Sequence, residues 1–358
     1  MSAPQRVGRT VRSGRERFVL WMLAGLCLEL VAAIAGLCVG STGLGVGRLF
    51  ELMMGAEPTA SESMILWFAR LPRVWFAAIV GSALASAGVM FQALLRNPLA
   101  DPYILGVSGG GALFATLYLA LGAGVLGSAF GVSVAALCGA GVSVIGLLFA
   151  ARWMGQGRMS VYVLLLLGVV FNAFASSVIT LLKAVVSAQK AQELLFYLMG
   201  TLSVEGSSVE LMVFVSVAVL LSLVVMMFLS RDLNVLALGD EAAHALGVEV
   251  DRVRLLGVMS ASVAVGVAVA YTGLIGFVGL VVPHGLRLLV GPDHRLLLPL
   301  SALCGAAFLT ASDVAARASF DWFSMTLPVG VVTSLVGAPL FVLVLQRSMR
   351  SRRVGGVR

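Results

Sequence analysis

Apolar residues along this chain come in long runs broken by short polar punctuation, and run length decides how they are read. About 20 apolar residues carry a helix across a bilayer core. Runs of that order cover 18–39, 67–92, 103–121, 126–150, 161–182, 211–230, 253–270, 274–290, 297–316 and 328–345. The pattern predicts about ten transmembrane helices, with Gly273, Gly276, Gly279 and Pro283 interrupting the seventh and eighth. The first run is too long for a signal-peptide core, no A-x-A cleavage site follows it, and Cys38 follows Leu37 rather than a small residue. It is expected to stay as a span.

Composition strengthens this reading. The chain is 60% hydrophobic and 11% charged, where a soluble domain carries about 25% charged residues. Its 41 glycines suit helices in lipid, which associate through close backbone packing rather than through a hydrophobic drive. The four cysteines lie in apolar stretches without C-x-x-C spacing, and the three histidines are far apart, so no protein-bound metal is expected.

Charge sets the orientation. Arg6, Arg9, Arg12, Arg15 and Arg17 crowd the first tail, and Arg347, Arg350, Arg352, Arg353 and Arg358 the last. By the positive-inside rule both tails are cytoplasmic, which requires an even number of spans. With ten, Arg96, Arg152, Arg158, Arg231, Arg252, Arg254, Arg287 and Arg295 also fall inside. Outside remain Arg48, Arg70, Arg73, Lys183, Lys190 and Arg317, a bias of 18 to 6 among the 24 basic residues. The organisation is thus a basic cytoplasmic tail (1–17), a membrane domain (18–346) and a second basic tail (347–358). The net charge of +7 is an orientation signal, and nucleic acid is not needed to explain it.

Four segments carry candidate chemistry. Arg70-Leu71-Pro72-Arg73 places two arginines against the charge bias at the outer mouth of the second span; they either snorkel to lipid headgroups or hold an anionic partner. On the inner side, Arg96-Asn97-Pro98-Leu99-Ala100-Asp101-Pro102 reads as a stiff turn, with Asp101 and Pro102 as N-cap and first residue of the next helix. Gly106, Gly109, Gly110 and Gly111 would let that helix approach another backbone closely. Within 236–250, the run from Gly239 to Gly247 reads as a short helix. Asp240 and Glu241 lie in its first turn, His244 and Leu246 near its end, and Gly247 stops it. So short a helix must dock on something, either its own membrane domain or a cytoplasmic partner. In the fifth span, Gly168, Asn172, Ser176 and Thr180 recur every four residues, a spacing that suggests one shared face for interhelical bonding or for a pore. Glu29 and Asp313 pose the same choice, and Arg317, one turn on, is the expected partner of Asp313. No lysine follows a glycine, so there is no P-loop, and any ATP must be used by a separate subunit.

Three blocks resemble one family. They are the stretch from Arg70 to Gly111 with QALLRNPLADPYILGVSGG, GLIGFVGLVVPHGLRLLVGPDHRLLLPLSALCGAAFLTASDVAAR from Gly273 to Arg317, and LPVGVVTSLVGAPLFVLVL from Leu327 to Leu345. In that order they are similar to the FecCD-type permeases of ABC importers for iron-siderophores, haem and cobalamin.

The resemblance implies an all-α integral membrane protein of about ten transmembrane helices with the type II ABC importer permease fold. It implies a bacterial cytoplasmic (inner) membrane location. The partners implied are a second permease copy, two ATPase subunits beneath and a substrate-binding protein above, with no cofactor in this chain and no catalysis by it. Arg70, Arg73 and Arg317 match arginines that pair with glutamates of the binding protein. Asn97 and Leu99 match positions near the cytoplasmic gate, and Ser160 falls near a second gate segment. Residues 239–247, including Gly239, Asp240, Glu241, His244, Leu246 and Gly247, match the region that couples to the ATPase. Gly168, Asn172, Ser176 and Thr180 would then line the translocation path. Thr326 departs from the glutamate usual before the final Leu-Pro-x-Gly.

Iron-siderophore is the leading cargo, with haem or cobalamin as the alternative. A proton-coupled secondary transporter using Glu29 or Asp313 is the rival from another class.

Overall fold

The computed structural model describes residues 14–40, 45–121, 128–155, 160–202 and 209–355. Arg6, Arg9, Arg12, Arg158 and Arg358, counted above toward orientation, lie outside the described residues. The described chain is helical throughout, without strands. Eight helices are long and apolar enough to cross a membrane, and two shorter apolar helices complete the expected ten.

The ten are α1 (Gly14–Cys38), α4 (Leu71–Leu94, entered through α3, Ala60–Met64, and a wider turn at Ile65–Arg70), α5 (Val107–Leu121), α6 (Ser128–Met154), α7 (Val161–Val185), α9 (Val209–Leu236), α11 (Val250–Thr272), α12 (Val278–Val290), α13 (His294–Ala318) and α15 (Val329–Gly355). The runs of apolar residues did not foretell α2 (Val46–Met53), α8 (Ala188–Met199) and the four-residue α14 (Phe320–Phe323); α10 (Asp240–Ala245) is the short helix expected within 239–247.

Helices α4, α11 and α13 form the core, and α1, α7, α9 and α15 keep broad apolar faces exposed, as a lipid-facing rim must. Backbone contact holds the centre. A Cβ on Gly81 would stand 2.2 Å from the Gly305 carbonyl oxygen of α13, and one on Gly88 would stand 1.9 Å from that of Gly279 in α12. No side chain larger than hydrogen fits at either crossing. The expected close approach of α5 is also present: a Cβ on Gly110 would lie 2.5 Å from the Gly139 carbonyl of α6.

Two of the helices are short because the chain reaches them through non-helical backbone. Asp101 does cap a helix, accepting from the Tyr103 N–H at 2.8 Å, but that helix is a single tight turn, Pro102–Leu105. Gly106 then takes a left-handed conformation (φ +77°), and α5 begins only at Val107. Likewise α11 stops at Thr272, Gly273 turns at φ +68°, and residues 273–277 run unwound before α12. Unwound backbone survives inside a membrane protein only where other groups take its hydrogen bonds. Here the Tyr103 hydroxyl donates to the Ile275 carbonyl (2.7 Å) and accepts from its N–H (2.9 Å), and the Thr201 N–H donates to the Thr272 carbonyl (2.8 Å). The Gln92 amide lies 3.4 Å from the carbonyls of both Gly279 and Leu280. Helix α8 wedges against this break: its C-terminal Gly200 sits so close that a Cβ there would be 2.3 Å from the Leu274 carbonyl.

Candidate functional site

Helix α4 is 24 residues long, so about 36 Å separate its two ends, and the expected site residues divide between them. At the start of α4, Arg73 and Arg317 converge on Asp313, with Arg70 near Arg317. Arg73 Nε donates to Asp313 Oδ1 at 2.9 Å, and Arg317 Nε pairs with Oδ2 at 2.9 Å, one helical turn away as expected. The carboxylate is fully enclosed.

Two of the three arginines face inward. Arg70 donates to the carbonyls of Leu37 and Cys38, and Arg317 to those of Gly36 (2.8 Å) and Val39. These carbonyls form the C-terminal end of α1, which carries negative partial charge and lacks intrahelical donors. Arg70 and Arg317, only 3% and 7% exposed, therefore cap α1 and bind it to α4 and α13. Arg73 alone of the three keeps substantial surface, its side chain 27% exposed. Thr326, in place of the expected acid, lies exposed in the loop before α15.

Beside this cluster, Arg48 of α2 ties the preceding segment together. Its guanidinium reaches Glu62 through two nitrogens (2.7 and 3.1 Å), Glu51 at 2.9 Å and the Glu57 carbonyl at 3.2 Å.

At the other end of α4 the chain turns sharply. Arg96 adopts φ +47°, a left-handed conformation uncommon for a residue with a side chain. Asn97 Oδ1 accepts from the Leu99 N–H at 3.0 Å, and the Asn97 carbonyl from the Ala100 N–H at 3.0 Å. Asn97 and Leu99 are exposed there. Ser160 caps α7, its hydroxyl 3.5 Å from the Val163 N–H.

The short helix α10 lies at this same end. Gly239 (φ +119°) opens it and Gly247 (φ +83°) ends it. Asp240 holds it to the bundle, Oδ1 accepting from Arg96 and Oδ2 from Arg254 Nη2 at 2.7 Å. Partial burial pushes the Asp240 carboxyl up, but the two guanidinium groups outweigh it and hold the group below the usual carboxylate range. Glu241, His244, Leu246 and Gly247 point away from the bundle, and Leu246 is 64% exposed. A groove of about 560 Å³ opens beside α10, lined by Arg152, His244, Gly247, Arg252 and Leu255 among others.

The expected single face of α7 divides in two. One residue advances an α-helix by about 100°, so each step of four drifts 40° and Thr180 stands about 120° round from Gly168. Gly168 and Asn172 face inward onto the turn at 102–105: Asn172 Nδ2 donates to the carbonyls of Tyr103 (2.9 Å) and Ile104 (3.2 Å), and a Cβ on Gly168 would be 2.4 Å from the latter. Ser176 and Thr180 lie on the exposed side, where the Thr180 hydroxyl donates back to the Ser176 carbonyl at 2.8 Å. The reading of the four as one shared face is corrected accordingly.

Residues 27–347 match the FecCD transport family. The chain belongs to that family. Among its relatives are the ABC transporter permease protein YvrB of Bacillus subtilis, 38% identical over 352 residues (96% of this chain, 98% of YvrB), and the hemin transport permease HmuU of Yersinia pestis, 35% identical over 334 residues (92% and 97%). The cobalamin import permease BtuC of Halobacterium salinarum is 41% identical over 303 residues (85% and 78%). Among solved structures, an inward-facing ABC transporter described as of metal-chelate type superposes with a TM-score of 0.78 at 30% identity, covering 91% of this chain and 98% of that one. This FecCD-family chain is therefore a multi-pass membrane permease of the ABC-importer class.

Three residues that this structure uses carry no distinct signal in the sequence pattern. Arg254 counted only as a charge, Tyr103 only as part of a span, and Asn234 was not singled out at all. Asn234 Nδ2 donates to Asp293 Oδ1 (2.7 Å), and its Oδ1 accepts from the His294 N–H (2.9 Å), joining α9 to α13. The available signal for Arg254 and Tyr103 was their distance from the bland lipid face; each is a polar group that a helix in lipid must direct inward.

Proposed function

We propose that this permease imports an iron chelate of the siderophore type, with haem or cobalamin as the second reading. The observation that supports the proposal is the superposition on an ABC transporter described as of metal-chelate type, at a TM-score of 0.78 over 91% of this chain and 98% of that one. The second reading is favoured by the 41% identity to a cobalamin permease.

The proposed assembly is two copies of this chain, two ATPase subunits against the α10 end and a substrate-binding protein against the Arg73 end, in the cytoplasmic membrane. At the α10 end, the exposed Glu241, His244 and Leu246 would seat on the ATPase, and the turn carrying Asn97 and Leu99, with Ser160 beside it, would form the gate. At the other end, Arg73 would meet a carboxylate of the binding protein, held in place by Asp313. Arg70 and Arg317 would support that contact by fixing α1. Ser176 and Thr180, on the exposed side of α7, would face the path between the two copies. The chain's own part in the chemistry is conformational, since no bond of the cargo needs to break.

The test is uptake of a labelled panel (ferric hydroxamate, ferric catecholate, haem and cobalamin) by cells with and without the gene under iron limitation. Loss of one ferric chelate, restored by the gene, supports the proposal. Unchanged iron uptake with loss of cobalamin or haem transfers it to the second reading.

A further inference from the structure

Between α10 and the middle of the bundle runs a series of polar contacts joined by the backbone of residues 96–105. It starts at Asp240, clasped by Arg96 and by Arg254, whose side chain is only 11% exposed. Arg96 Nη2 also donates to the Leu236 carbonyl at the end of α9, 2.9 Å away. Its left-handed backbone places the guanidinium under α10 and the next residues in a turn.

That turn has little freedom. Pro98 and Pro102 restrict its backbone, Asn97 caps Leu99, Asp101 caps Tyr103, and the buried Ala100 packs between them. The far end of the turn is fixed on two sides. Asn172 of α7 takes the carbonyls of Tyr103 and Ile104. The Tyr103 hydroxyl bonds both the N–H and the carbonyl of Ile275, in the unwound stretch ahead of α12. A movement of α10 must either carry Arg96 along or part the Asp240 carboxylate from its guanidinium. Seven residues later, the same displacement reaches α7 and the break.

We infer that residues 96–105 are a lever through which α10 moves α7 and the 273–277 break, with Asp240 and Asn172 as its two pins. This rests on the reading that α10 seats on an ATPase. Asp240, Arg96 and Asn172 are positioning residues: they transmit a displacement and need not touch cargo. Coupling of this kind is shown by a response at one site that depends on a residue at another, and by non-additive pairs.

The experiment uses the permease assembled with its ATPase in proteoliposomes, with the four native cysteines replaced. Single cysteines are placed at Leu99, on the turn, and at Ser176, on the exposed side of α7. Fluorescein maleimide is the probe, and labelling rates are compared with and without vanadate-trapped nucleotide, normalised to the nucleotide trapped. With both pins intact, trapping should change both rates several-fold. Asp240→Asn should abolish both changes. Asn172→Leu, which removes the amide that takes the Tyr103 and Ile104 carbonyls, should leave the response at position 99 and abolish that at 176.

Arg96→Gln leaves Asp240 paired with Arg254. It should reproduce Asp240→Asn, and the double variant should be no worse than either single one. A wild-type-like response at position 176 in the Asp240 or Asn172 variant overturns the lever while leaving the permease reading intact. No response at either position with both pins present overturns the seating of α10 on the ATPase, and the lever with it.

Discussion

Arginine carries two different duties at the outer cluster, and burial separates them. Arg317 and Asp313 are enclosed together, so Arg317→Ala strands a buried carboxylate on Arg73 alone and removes the cap of α1. Breaking a buried pair costs about 3 kcal/mol or more, and a lower melting temperature of the purified permease in detergent should show it. Arg73, with a quarter of its side chain in solvent, is the one residue of the three expected to separate docking from folding. Arg73→Gln, which removes the charge but can still donate to Asp313, should weaken affinity for the binding protein several-fold, measured by surface immobilisation, with ATPase binding retained; unchanged affinity would remove Arg73 from the interface.

At the opposite end, Asp240 is a carboxylate with a depressed pKa, so its contribution is present above the unfolded value of about 3.9 and fades as pH falls through the lower folded value. Hydrogen-exchange protection in α10, corrected for the intrinsic pH dependence of amide exchange, should therefore be unchanged between about pH 5 and pH 8 and should fall only below about pH 4. Loss of protection already at pH 6 would mean that another group holds the helix.

Among the elements, α4 shows how a helix in lipid is positioned by what it lacks. Gly81 and Gly88 lie seven residues apart on one face, two turns in register, and each receives a neighbouring backbone in place of a side chain. The contacted atoms are carbonyls that cannot swing aside. Gly88→Val should cost about 3 kcal/mol or more and should be read as loss of folded permease in the membrane fraction. Gly141 is the control: on α6, where a Cβ meets nothing within 4 Å, Gly141→Ala should be silent.

The two short helices follow the same logic in the other direction. Helices α5 and α12 are cut short because unwound backbone takes the rest of their path, and Tyr103 and Asn172 supply hydrogen bonds that a continuous helix would make for itself.

The whole molecule presents two differently built ends joined by a rigid core. One end is a closed electrostatic knot around Asp313, and the other an exposed short helix on two guanidinium groups. That asymmetry suits an importer driven from one side and loaded from the other. Uptake by the reconstituted assembly should stop with vanadate and persist when the proton gradient is collapsed. The reverse result would favour the proton-coupled alternative.

The ten apolar helices, the family and the short helix at 239–247 were all legible in the chain, because each depends on local quantities: run length, residue order, a capping acid, a terminating glycine. What lay beyond the sequence depends on which groups meet across the bundle. That Arg70 and Arg317 cap α1 instead of facing outward, that Asn172 turns away from Thr180, and that Asp240 is shared by Arg96 and Arg254 follow from contacts spanning 14 to 281 residues of separation. A polar residue in an apolar run declares by itself only that it must find a partner away from lipid. The tertiary structure decides which one, since packing brings distant carbonyls and carboxylates within reach and burial makes leaving them unpaired too costly.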